Sequence, residues 1–162
     1  MKPSILLSAV ALVATGCGRT STHISAASPD GRVIARVLSH PSIDPPDQSL
    51  WLGPVGATSR QLRHLAPDQD WCNEVHWSAD SSTVAFLVQD AWLLAFTRSG
   101  QLLADQWLVD HRDYPPRQVA RRFALSPDGS SASFQPCLRR PRRSTGVPAC
   151  SATATVVLRS PA

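Results

Sequence analysis

The sequence predicts an all-β, antiparallel chain, and three observations predict it. A tight-turn tetrad occurs three times at near-even spacing: Ser28-Pro29-Asp30-Gly31, Ser78-Ala79-Asp80-Ser81 and Ser126-Pro127-Asp128-Gly129. Apolar and polar residues alternate on the stretches that flank the tetrads, the period of a strand with one buried face. No stretch after the first sixteen residues shows a helical period with caps.

The tetrad has a mechanical reading. Pro fixes φ, Asp bonds a downstream amide and Gly tolerates positive φ, so the strands before and after it form a hairpin. In the first unit Val33-Ile34-Ala35 follow the turn, and Leu50-Trp51-Leu52 and Arg60 to Leu65 supply further strands. In the second, Val75 and Trp77 precede the turn and Val84, Ala85 and Phe86 follow it. A polar turn at Gln89-Asp90 then leads into the apolar strand Ala91 to Thr97. Arg98-Ser99-Gly100 turns the chain again, towards Gln101-Leu102-Leu103 and Trp107-Leu108-Val109. In the third, Phe123 and Leu125 fall opposite Val75 and Trp77, and Ala132 to Gln135 and Ala152 to Leu158 are the remaining strands. The first unit has Ser25 and Ala27 at those places, with Ile24 out of register. The pattern gives about eleven strands, with Ser42 to Asp47 and Tyr114-Pro115-Pro116 as proline-stiffened connections.

Val-x-Trp-Ser-x-Asp, then a strand, then an apolar third strand ending in a Gly turn, resembles the WD-like β-propeller repeat of the Tol-system type. The resemblance covers residues 23 to about 159. It implies about three propeller-like blades of three to four strands, an incomplete propeller or sandwich-like arrangement, because closed propellers have 4–8 blades. The third unit lacks an outer strand, and a partner strand would add there. Such folds host both enzymes and binding modules, so they do not decide chemistry.

The N-terminus speaks to location. Lys2 precedes the apolar run Ile5 to Ala14, which is too short to span a bilayer, and small residues then lead to Cys17. This resembles a bacterial lipoprotein signal, which implies a signal peptide over 1–16, acylation (palmitate) at Cys17 and a tether over 17–22 ahead of a propeller-like domain over 23–162. Ala14-Thr15-Gly16 also meets the small-x-small rule of ordinary signal peptidase, which would leave Cys17 a free thiol and the protein secreted. Gly18 after the cysteine, in place of Asp, favours the outer membrane over the inner, facing the periplasm.

The formal charge is +4 across 162 residues. After Lys2 every basic residue is arginine and Glu74 is the sole glutamate, as a GC-rich genome would produce. Export places the cysteines in an oxidising compartment. Cys137 and Cys150 stand at the two roots of a Pro/Gly-containing loop and are expected to pair, worth about 3 kcal/mol in the chain-entropy model. Cys72 is then left a buried free thiol, or pairs with Cys17 if that is not acylated.

Within the loop Arg139, Arg140, Arg142 and Arg143 form a basic cluster. It reads as a contact for anionic lipid or an acidic envelope partner, or as a solvated turn. Cys72, Glu74 and His76 alternate on one strand, so one face would carry all three; a half-buried strand face accounts for them without a metal. His111-Arg112-Asp113 lacks every companion of a kinase motif. Trp51, Trp77, Trp92 and Trp107 fall on strands and read as core, with Trp71 outside. Asp30, Asp80 and Asp128 are explained by their turns.

No catalytic residue, metal or cofactor is expected, nor nucleic acid in this compartment. The expectation is a non-enzymatic, lipid-anchored cell-envelope protein, a binding or scaffolding module reaching the membrane through its lipid. The alternative is an exported enzyme, or a carbohydrate or ligand binder, with a site at the blade ends.

Overall fold

The three turns close on themselves by one repeated set of hydrogen bonds. In the computed structural model, which describes residues 20–40, 47–66, 71–110, 118–139 and 148–159, Ser28 Oγ donates to the Asp30 carboxylate at 2.6 Å and accepts from the Val33 amide at 3.0 Å. Ser78 does the same with Asp80 (2.6 Å) and Thr83 (2.9 Å), and Ser126 with Asp128 (2.7 Å) and Ser131 (3.0 Å). Each carboxylate also accepts the amide two residues on. The fourth residue of every turn is left-handed: Gly31 at φ 70°, Ser81 at 64° and Gly129 at 68°. Serine pays about 1–2 kcal/mol for that conformation, and Ser81 Oγ in return accepts the Asp30 amide at 3.1 Å.

Eleven strands occupy the described residues, in three antiparallel sheets. Blade 1 runs in the order β1 (Ser21–Ala27), β2 (Val33–His40), β3 (Asp47–Pro54), β4 (Arg60–Leu65). Blade 2 is β5 (Cys72–Trp77), β6 (Thr83–Val88), β7 (Trp92–Thr97), β8 (Leu102–Trp107). Blade 3 has three strands, β9 (Gln118–Leu125), β10 (Ser131–Leu138) and the outer β11 (Ala154–Val157). Strands β1, β5 and β9 are the inner members and touch one another in sequence. This is the incomplete, propeller-like all-β architecture that the repeat implied. Among the described residues no helix is long and apolar enough to cross a membrane.

The alternation explains how the blades stack. Val33, Ala35 and Val37 of β2 face blade 2, and Val84, Phe86 and Val88 of β6 face back to blade 1, forming one core with Leu50, Leu52 and Leu94. On its other face β6 sends Ala85 and Leu87 into a second core with Phe123, Ala132, Phe134 and Leu158 of blade 3. All six residues of β6 are therefore buried, whereas β2 is buried at alternate positions only. The end faces carry the residues without a neighbouring blade: Ser25 and Arg36 on blade 1, Ser131, Ser133 and Gln135 on blade 3. The weak first unit of the repeat is weak for this reason.

Cys137 and Cys150 form the expected disulfide, with Cα atoms 4.0 Å apart across the root of the β10–β11 connection. Cys17, the signal segment, Ser42 to Pro46, His111 to Pro116, Arg140, Arg142 and Arg143 lie outside the described residues. Trp71 is exposed as expected. Trp107 is exposed to a similar degree, against the core position expected of it.

Candidate functional site

The first seam, between blades 1 and 2, opens at its turn end into a pocket of about 730 Å³. That volume falls within the range of small-molecule sites. Its floor is apolar: Val33 at the start of β2, and Leu52 and Pro54 at the end of β3. Hydroxyls and two guanidiniums line the rest. Blade 1 contributes Thr58 and Arg60; blade 2 contributes Ser82, Thr97, Arg98 and Ser99.

The polar groups are held in place. Thr97 Oγ1 accepts the Gln101 amide and lies 2.9 Å from Ser99 Oγ, fixing the β7–β8 turn. Arg98 donates its amide to Ser82 O at 2.7 Å and its Nη1 to Asp30 Oδ2 at 2.6 Å, tying the two blades together at the rim. Asp30 is held down at about 2, first by the Ser28 hydroxyl and then by the Arg32 amide, with Arg98 adding to these. The Arg60 guanidinium lies against Gly100, whose φ is 78°. A Cβ there would collide with it, so glycine makes the seat on which the guanidinium rests.

The second seam carries a different group. His76 Nε2 lies 2.7 Å from Glu74 Oε2, both half-buried, and the His76 ring packs on Phe123 at 5.0 Å. Such a carboxylate–imidazole pair can orient a ring nitrogen for proton transfer. Cys72 is not part of it, which corrects the expectation that all three share a face. A bulge between Cys72 and Glu74 shifts the register, so Cys72 turns into the first core with Val75 and Trp77 while Glu74 and His76 face blade 3. Burial pushes the Cys72 thiol up to about 12. Among the described residues no group of three or more His, Cys, Asp or Glu could hold a metal ion. In the basic cluster, Arg139 donates Nη2 to the Gln89 carbonyl of blade 2 at 3.2 Å, so its guanidinium is anchored to the neighbouring blade.

No protein-family model matches the chain, and no curated protein matches it. Among solved structures it is similar to an oligogalacturonate lyase of Vibrio parahaemolyticus, with a TM-score of 0.51 and 14% identity over 81% of this chain and 35% of that one. It is also similar to the periplasmic gluconolactonase of Pseudomonas aeruginosa, with a TM-score of 0.41 and 22% identity over 92% and 43%. A candidate 6-phosphogluconolactonase of Bacteroides uniformis gives 0.41 and 15% over 83% and 41%. The chain thus spans less than half the length of each.

At these identities the likeness bears on the fold, and the one to the lyase agrees with three propeller-like blades. The expectation of a non-enzymatic scaffold finds no support here, since the lyase is an enzyme. Sequence reasoning missed the pocket because its walls come from five separate strand ends and turns. The one local sign was an arginine–glycine turn, Arg98-Ser99-Gly100, at the end of a strongly apolar strand.

Proposed function

We propose that the chain is an exported enzyme domain that takes up a small carbohydrate-like ligand at the turn end of the first seam. The observation that carries this reading is the pocket itself, an apolar floor ringed by hydroxyls and guanidiniums. Sugars present that mixture: C–H faces that pack on aliphatic side chains and hydroxyls that need directed partners. The disulfide fits an oxidising compartment, and acylation at Cys17 would anchor the domain to the envelope; intact mass of the mature N-terminus tests the anchor.

The test of function has a binding arm and a turnover arm. The purified chain is titrated by calorimetry with mono- and oligosaccharides, and the same mixtures, including oligogalacturonates and aldonolactones, are followed by mass spectrometry. Saturable binding lost in Leu52→Trp, which fills the floor, supports the pocket; binding unchanged by that substitution refutes it. Turnover lost in His76→Ala with binding intact would favour a second reading, in which chemistry occurs at the Glu74–His76 pair on the opposite face of blade 2.

A further inference from the structure

We propose that the first-seam pocket selects ligands bearing a carboxylate, and that Arg60 is the group that binds it. The inference rests on the reading of this pocket as the ligand site and adds the chemical class. Its basis is the charge balance of the pocket walls. Two guanidiniums and one nearby carboxylate are present, and they are not equally committed.

Arg98 is committed. Its Nη1 is bonded to Asp30 Oδ2 at 2.6 Å, and the other oxygen of Asp30 takes the Ser28 hydroxyl and the Arg32 amide. That pair is close to neutral as seen from the pocket, and its role is to hold the blades in register. Arg60 is not committed. Among the described residues its guanidinium has no acidic partner and no hydrogen bond, and it lies exposed beside Gly100. A guanidinium with its donors unused, on the wall of a pocket that also has apolar lining from Val33, Leu52 and Pro54, is complementary to one negative charge on a ligand seated there. The guanidinium fork matches a carboxylate in two parallel hydrogen bonds. The net charge of one favours a monoanion over a phosphate dianion.

Glucose and glucuronate share the ring and differ only in the carboxylate at C6, so they make the test, with gluconate as an open-chain acid. The purified chain is titrated with glucose, glucuronate, gluconate and inorganic phosphate at low and moderate salt. The acids are expected to bind more tightly than glucose, with affinity falling as salt rises. Arg60→Met is expected to weaken the acids about tenfold or more, the scale of a lost charge-assisted hydrogen bond, and to leave glucose unchanged. Arg60→Lys should restore part of the loss. Glucose binding as well as the acids, or acids unaffected by Arg60→Met, overturns the carboxylate assignment while the pocket stands. Phosphate binding through Arg60 without the acids overturns it in favour of a phosphorylated ligand. No binding by any of the four removes both the assignment and the pocket reading beneath it.

Discussion

The two seams of this molecule join the same middle blade to its neighbours by different means. The first is spanned by side chains: Trp77 Nε1 reaches Ala26 O at 3.0 Å, Gln48 Oε1 accepts the Cys72 amide at 2.8 Å, and Arg63 crosses to Asp105 at 3.1 Å over the Trp92 ring. At its turn end the second is closed by bonds to the backbone of the third turn, and farther along by side chains such as Arg139. The Asp80 amide donates to Pro127 O at 3.0 Å, and Ser82 and Thr83 donate their hydroxyls to Asp128 O and Gly129 O at 3.2 and 3.3 Å. The left-handed fourth residue of the turn differs between the two junctions. Gly129 in the third unit lets Thr83 lie against its backbone; Ser81 in the second puts a side chain between the blades. The seam that holds Ser81 is the one with the pocket.

The largest expected effect breaks the tight junction. Gly129→Ala combines a left-handed alanine, about 1–2 kcal/mol, with a methyl forced into Thr83, about 1–3 kcal/mol of overpacking. Gly31→Ala, at the same φ but with nothing near the added methyl, should incur the first cost alone. Urea midpoints of the two variants measure the difference; equal losses would mean that the second seam is not close-packed at this turn.

Next in size is the staple behind the second seam. Replacing Cys137 and Cys150 by serine should lower stability by about 3 kcal/mol. In hydrogen exchange the protection lost should concentrate in β10 and β11, with β2 to β4 spared. Uniform loss across all three blades would show that the seams do not separate the blades energetically.

The smallest effect is one of pH and acts on both seams. Asp30 and Asp128 are each held at about 2, below the ordinary 3.8, foremost by the serine hydroxyl two residues before them. A depressed carboxylate contributes stability that is complete above the unfolded value and is lost as pH falls through the folded one. The urea midpoint should therefore decline between about pH 4 and pH 2, and Asp128→Asn should cost less at pH 2 than at pH 7. A penalty equal at both pH values would contradict the sign of that shift.

The fold was legible because its signals are local. Ser-x-Asp turns bond within five residues, so three copies in the sequence are three turns in space. Alternation even marks the end blades: Ser131, Ser133 and Gln135 stand where the middle blade has Thr83, Ala85 and Leu87. The disulfide was legible for the same reason, two cysteines at the roots of one hairpin. The bulge after Cys72 was not, since Asn73 gives no turn or glycine signal. It turned Cys72 to the face opposite Glu74 and His76, which stay together as their spacing implies. The pocket was least legible. Leu52, Arg60, Ser82 and Arg98 each look ordinary in sequence, and only stacking the blades brings them round one space. The proposed ligand site rests on that space, where the sequence had suggested a scaffold.

Cys72 carries a further meaning for how the first seam behaves in time. An unpaired thiol invites exchange with a disulfide in the next blade, and exchange needs thiolate. Fully buried and held near 12, Cys72 offers almost none while blades 1 and 2 stay together. Each moment at which it reacts is a moment at which the seam has parted. Its labelling by a small thiol reagent is a clock for that opening, at the end of the seam away from the pocket.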